Sequence, residues 1–400
     1  GKQPGGQISI SSRSGTNQYH GSLFEYFRNE KLDANNWISN SKALPKAALR
    51  QNDFGGVFSG PVAFPWVGEG TPAIWKGSKT FFFFSYEGLR LRLPQAKVFT
   101  VFTQSFRNTA NAQVLPILLA IPLPNGAAIN ANTAQFIASW SDPQTTDAYS
   151  FKVDQIFKNI TFFGRYSDTP SSGSTRQLTP ASLSLSKLRS QALTFGSTWL
   201  ISNNWTNDFR FNYTKSLGTG ENVLDTFGGA APYNKSLFLP SFINGGASVV
   251  SPSITGFTTS GVPLGRFASN NNRQINVVDD VSYIKGNHHL EFGMDYRYLF
   301  PHTEPIPYNL SVVVTNATTG LARYTVASAD PATIVFPTFS AYGQDTWKLS
   351  KKLSLNFGIR WELVPPPYAT EGAQPLTFNS LDDPTKLSFA PLGTKVWKTT

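Results

Sequence analysis

The sequence predicts an all-β chain that crosses a membrane as an antiparallel β-barrel, and three observations carry that prediction. Short segments alternate apolar and polar residues with a period of two, which puts successive side chains on opposite faces of a sheet. Most of these segments are paired through turns of two or three residues, while long stretches rich in Gly, Pro, Ser and Asn separate the pairs. Tight turns at one end and long loops at the other are the pattern of a transmembrane barrel. The apolar face is also dominated by Phe, Tyr and Trp, whose rings suit a lipid boundary, whereas a soluble sandwich fills its core mainly with aliphatic side chains.

The elements follow in order. Residues 5–17 read GGQISISSRSGTN, a short alternating strand (Ile8, Ile10) between glycine turns. A first barrel strand is predicted at about residues 19–28 and a second at 52–60. The connection at 61–78 is long for a turn and is the exception to the pattern. The third strand, about 79–89, contains the run Phe81, Phe82, Phe83 and Phe84, which has no clean polar face, so part of it is expected to pack against the contents of the lumen. Residues 90–147 are too long for a plain loop, and an extra hairpin (97–103) and a short helix (114–120) are expected there. Strands four (149–157) and five (160–166) meet at Lys158 and Asn159. A Ser/Thr/Pro-rich loop runs to about Ser190. Strands six (191–201) and seven (205–213) follow, and then a Gly/Ser/Asn/Pro-rich loop to about Asn272 whose composition cannot build a core of its own. Strands eight (273–285) and nine (289–299) turn at Gly286, Asn287 and His288. Strands ten (339–349) and eleven (353–363) turn at residues 350–352. Strands of about nine to eleven residues match a tilted bilayer crossing.

Parity divides the side chains into two sets. Lys152, Asp154, Arg165, Arg210, Glu291, Asp295, Arg297, Arg360 and Glu362 are expected to line a wet lumen. Phe209, Phe211, Tyr213, Phe292, Tyr296, Tyr298, Phe357 and Trp361 are expected to meet lipid. Asp279 and Asp345 share a parity with apolar neighbours and break the pattern. Both lie toward the turn end, where a charge on the lipid face costs only about 0–1 kcal/mol.

Composition narrows the function classes. Only 14% of the 400 residues are charged, against about 25% in ordinary soluble domains. Without a run of eighteen apolar residues there are no transmembrane helices. No cysteine is present, which excludes a disulfide framework and a thiolate metal site. The net charge of +10 is scattered, with no dense basic run to mark a nucleic-acid footprint. Of the four histidines, His288 and His289 are adjacent and so face opposite sides of a strand with no third ligand near them; neither they nor His20 and His302 make a metal or catalytic group. No catalytic residue, metal or cofactor is expected. The glycine pairs Gly5-Gly6 and Gly55-Gly56 do not open a helix after a strand, and read as bulges or close backbone approaches.

Several segments resemble a known family. GGQISISSRSGTNQYHGSLFEYFRN resembles the plug-to-barrel junction of TonB-dependent outer-membrane transporters, in particular the Oar-like group that carries a carboxypeptidase-regulatory-like domain. QNDFGGVFSGPV, KTFFFFSYEGLR, YSFKVDQIFKNITFFGRYS, VVDDVSYIKGNHHLEFGMDYR and YGQDTWKLSKKLSLNFGIRWE follow in that family's order. The resemblance implies a twenty-two-stranded barrel around a globular plug, located in the bacterial outer membrane and energised through an N-terminal contact with the TonB complex. On that basis residues 1–17 are expected to end the plug and residues 18–400 to form the first half of the barrel, about eleven strands. A fragment of this kind cannot close, so it should be an open half-barrel with its first and last strands as free edges. The implied function is active import of a siderophore, glycan or peptide, with membrane lipid and the TonB complex as partners. Alternatives from other classes are a structural or adhesive surface barrel and a soluble carbohydrate-binding sandwich or propeller.

Overall fold

The structure is a computed structural model that describes residues 13–66, 73–177, 179–243, 246, 248–257 and 261–397. The chain folds as β1 (His20–Asn29), α1 (Trp37–Ser41), β2 (Arg50–Trp66), β3 (Ala73–Phe102), α2 (Gln104–Asn108), α3 (Leu115–Leu119), β4 (Thr133–Phe157), β5 (Ile160–Arg176), β6 (Ser182–Leu200) and β7 (Trp205–Leu224). Next come β8 (Ser248–Ile254), β9 (Gly265–Lys285), β10 (His288–Leu299), β11 (His302–Thr303), β12 (Tyr308–Asn316), β13 (Leu321–Ser328), β14 (Ala332–Ser350), β15 (Leu353–Leu363), β16 (Tyr368–Glu371), β17 (Phe378–Asn379) and β18 (Ser388–Phe389).

One antiparallel sheet dominates, running β1-β2-β3-β4-β5-β6-β7-β9-β10-β14, with β15 paired on β14. These eleven strands are the wall. The short β11 and β16 add to it at the loop end of β14. Among the described residues β1 pairs only with β2, and β15 only with β14, so the sheet is open at both edges.

Each predicted wall strand overlaps an observed one, with 19–28 and 191–201 overrunning β1 and β6 by one residue each, but most of the observed strands are far longer than a bilayer crossing. β3 has 30 residues, β4 has 25 and β9 has 21. The expected hairpin at 97–103 is in fact the end of β3, which stays in register with β4 from Phe102↔Thr133 to Thr80↔Gln155. The Ser/Thr/Pro-rich loop shrinks to residues 177–181, because Ser167–Arg176 of β5 remain paired with Leu183–Ala192 of β6. Beyond the bilayer both faces of a ribbon are wet, so backbone pairing can continue without any apolar alternation to announce it. The 61–78 exception shrinks in the same way: Ala63–Trp66 pair with Ala73–Lys76, leaving 67–72 outside the described residues.

The turns are short. Two residues join β4 to β5, β9 to β10 and β14 to β15. Lys158 (φ 41°) and Gly286 (φ 57°) adopt left-handed backbone at two of them. A β-branched side chain is strained in that conformation, so Gly286→Val should destabilise the wall by about 1–2 kcal/mol, read as a lower urea midpoint for refolding into lipid vesicles.

At the loop end, separated stretches of the chain close over one shared apolar core. Phe99, Val101 and Phe102 from the end of β3 meet Val114, Ile117, Leu118 and Ile121 around α3, Tyr233 and Phe238 from the β7–β9 connection, Val250 and Ile254 of β8, and Leu310, Val312 and Val314 of β12. The loop to Asn272 makes no core alone; it contributes to one built jointly. β12 buries alternate residues, pairs antiparallel with β13 and lies parallel to β8. Buried Arg107 fastens the helical part by donating from Nη2 to the carbonyls of Ile121 (2.6 Å) and Pro122 (2.9 Å), and burial lowers its pKa. The Tyr233 hydroxyl donates to the Val262 carbonyl at 2.7 Å, and burial pushes its pKa up.

Candidate functional site

Directly paired residues on neighbouring strands project from the same face of a sheet. The register links Asp154↔Phe163↔Gly196↔Arg210↔Val278↔Asp295↔Ser340↔Glu362 in one row across eight strands. A second row runs Lys152↔Arg165↔Thr194↔Asn212↔Asn276↔Arg297, and a third runs Asp208↔Asp280↔Gly293↔Tyr342↔Arg360. Glu291, which pairs with Ser282 and Gln344, has the same parity. All nine residues of the charged set therefore lie on one face.

The eight aromatic residues lie on the other. Phe211, Val277, Tyr296 and Phe339 form one row, and Phe209, Asp279, Met294, Ala341 and Trp361 another. Tyr213, Tyr298, Phe292 and Phe357 keep the same parity through Ile275, Val281 and Asp345. Asp279 and Asp345 sit on this aromatic face, each with a polar neighbour. Asn207 donates to Asp279 at 2.6 Å, and His288 Nδ1 lies 2.7 Å from Asp345 while its ring stacks on Trp347.

The four-Phe run splits between the faces. Phe81 and Phe83 oppose Asp154 and Lys152, while Phe82 and Phe84 oppose Val153 and Phe151. Phe81 is buried, and the chain just before β1 crosses here, with Gly15 against Phe81 and the carbonyls of Gly60 and Phe82.

The polar face is knitted together by side-chain bonds. Lys152 Nζ lies 3.0 Å from Asp154 Oδ1, with the two residues only 7% and 6% exposed. Ser14 bridges them, accepting from Lys152 at 2.7 Å and donating to Asp154 at 3.3 Å. The ammonium also stands 5.2 Å from the centre of the Phe163 ring. Farther along, Arg165 donates to Ser150, Asn276 to Asp295, and Arg360 to Ser340. Tyr342 reaches across β10 to donate to Asp280 at 2.7 Å, and it can do so because Gly293 lies beneath the ring; a Cβ there would sit 2.1 Å from the Asp280 carboxylate. Arg210 is exposed and makes no ion pair or hydrogen bond among the described residues.

Several members of this face are absent from the charged set read from sequence: Asp208, Asn212, Asn276, Asp280, Tyr342 and Gln344. Asp208 and Asn212 share the parity of Arg210 on β7, while the pairing of β9 and β14 with their neighbours brings in the other four, and sorting by residue class sends Tyr342 to the aromatic side. Gly55 and Gly56 sit at close approaches to Tyr86 and Leu23, while the irregularity of register falls at Pro61–Ala63. His289 lies 2.9 Å from the Ser282 hydroxyl on the polar face, opposite His288. A cavity of ≈ 590 Å³ opens on the polar face beside Asp280, Asp295 and Arg360, and another of ≈ 430 Å³ at the loop-side rim beside Arg28, Glu30 and Gln95.

Residues 11–115 and 106–399 match the family model described as an outer membrane beta barrel domain. No curated protein matches the sequence. Among solved structures, the outer membrane transporter YddB from Escherichia coli is similar with a TM-score of 0.52 and 12% identity, over 89% of this chain and 39% of that one. The ferric-catecholate import receptor Fiu from E. coli K12, in its open form, aligns with a TM-score of 0.31 and 12% identity, over 88% of this chain and 61% of that one. The likeness to YddB is one of fold, and the chain spans well under half of that transporter's length.

Proposed function

Because this chain belongs to the outer membrane beta barrel domain family, and so resides in the bacterial outer membrane, we propose that it is the plug-proximal half of a TonB-dependent importer of the Oar-like group. In this reading residues 1–17 end the plug, residues 18–400 form the first half of a twenty-two-stranded wall, the charged face lines the lumen and the aromatic face meets lipid. A ligand of the siderophore, glycan or peptide class binds from outside, and the TonB complex draws on the plug to open a path. The chain's own chemistry is binding and gating.

The observation that carries this reading is Ser14, which comes from the chain before the wall and bridges the buried Lys152–Asp154 pair on the polar face. A plug needs such anchors, because charges on a lumen wall are costly to bury unless a neighbour satisfies them. An empty adhesive barrel would leave them to water.

Uptake decides the function. Cells carrying the protein should accumulate a labelled ferric siderophore, oligosaccharide or oligopeptide, and should stop doing so when a protonophore collapses the inner-membrane gradient. Surface binding without protonophore-sensitive accumulation would favour the adhesive alternative. The face assignment has its own test. Phe211 lies on the aromatic face within the part of β7 predicted to cross the bilayer (205–213), so Phe211→Arg should cost about 2–4 kcal/mol in refolding from urea into vesicles, whereas Arg210→Phe on the other face should not match that loss.

A further inference from the structure

The loop-side rim holds a site that names the ligand class, and this inference rests on the import reading above. Residues 30–49, between β1 and β2, form a folded hood. Asn29 accepts from the Lys31 amide and Asn36 from the Ile38 amide, both at 2.9 Å. The Lys46 ammonium donates to the carbonyls of Glu30 and Asp33. From β4, the Ser139 and Ser141 hydroxyls donate to the carbonyls of Pro45 (2.8 Å) and Ala48 (2.5 Å). Between the hood and β3 lies a cavity of ≈ 430 Å³, within the range of small-molecule sites.

Its lining is selective. The two cations already have partners: Arg28 pairs with Asp33 at 3.0 Å, and Lys46 is held by backbone carbonyls. Glu30 is left over: it lines the cavity half-buried, and among the described residues its carboxylate forms no ion pair and no side-chain hydrogen bond. An unpaired carboxylate on a cavity wall favours a ligand that brings a cationic donor, since charge-assisted hydrogen bonds are the strong ones. The remaining lining pairs the amides of Asn35 and Gln95 with an aliphatic wall at Leu93 and Pro94, and no aromatic ring among the described residues lines the cavity. A sugar or catechol ring would therefore find no ring to stack on.

We propose that this cavity binds the free amino terminus of a short aliphatic peptide. The ammonium pairs with Glu30, the first peptide groups bond to the side-chain amides, and the side chain lies on Leu93 and Pro94. The test is calorimetric titration of the full chain in detergent with Leu-Gly-Gly, N-acetyl-Leu-Gly-Gly and cellotriose. Leu-Gly-Gly should bind, and acetylation, which removes the charge, should weaken binding by about tenfold or more. Glu30→Gln should cause a similar loss for the free peptide while leaving intact the gel shift between boiled and unboiled protein. Equal affinity for the acetylated peptide, absence of tripeptide binding, or binding of cellotriose alone would overturn the proposal. The acetylation arm uses native protein and stands even if the variant misfolds. Binding is measured without energised cells, so tripeptide binding without uptake would remove the import reading and leave this site, and uptake of another ligand without tripeptide binding would do the reverse.

Discussion

Leu310→Asp should unfold the loop-end cap while leaving the wall intact. Leu310 on β12 is 0% exposed, paired with Val250 of β8 in the core that also holds Val312 and α3. Truncating a buried leucine alone costs about 2–5 kcal/mol, and a carboxyl placed there without a donor adds a desolvation penalty, so the total should reach at least ~4 kcal/mol. The cap's core is separate from the wall's bilayer-length part, and its stretches are joined by a modest set of backbone bonds such as Ala231 N to Leu119 O (2.7 Å) and Thr255 N to Val314 O (2.9 Å). Loss of one layer should therefore release residues 225–264 as a unit, in the manner of local unfolding. Limited proteolysis of intact cells measures this: the variant should be cut within 225–264 at protease levels that spare the native protein, while the difference in migration between boiled and unboiled samples persists. A cap that stays resistant would mean that its core does not hold these stretches together.

How legible the molecule is depends on what surrounds each part. Where one face meets lipid and the other water, alternation is compulsory, and 353–363 is read from sequence with the bounds that β15 takes. Above the bilayer that compulsion ends, so the paired upper parts of β5 and β6 look like a Ser/Thr/Pro loop. The cap is hidden for a different reason. Each contributing stretch carries only a few apolar residues, and neither Val114–Ile121 nor Tyr233–Phe238 nor β12 could bury them alone. The polar face is legible by parity wherever a charge marks it, and Asp295, Arg297 and Arg360 fall in rows with the rest. The rim cavity is not legible at all, because Glu30, Asn35 and Gln95 meet through a hood whose shape is set by capping bonds and by serines more than ninety residues away.

Removing the Lys152 ammonium should be the most damaging single change on the polar face. Lys152→Met keeps most of the side-chain volume but leaves Asp154 buried, with one oxygen already unpartnered and the hydroxyl of Ser14 as its remaining donor. Breaking a buried pair from one side typically costs about 3–5 kcal/mol, because the surviving charge must be neutralised or drawn into water. The lost cation–π contact with Phe163 adds about 0.5–1 kcal/mol. Replacing both partners, as in Lys152→Met with Asp154→Leu, removes the stranded charge as well and should recover most of the loss. Urea midpoints of the native, single and double variants refolded into vesicles form the cycle. A single variant as stable as the native protein would show that water reaches this pair freely, and the anchor between the pre-wall chain and the wall would then have to lie elsewhere on the face. A double variant no better than the single would instead assign the loss to Ser14, which would have no polar partner left on β4 to hold the preceding chain against the wall.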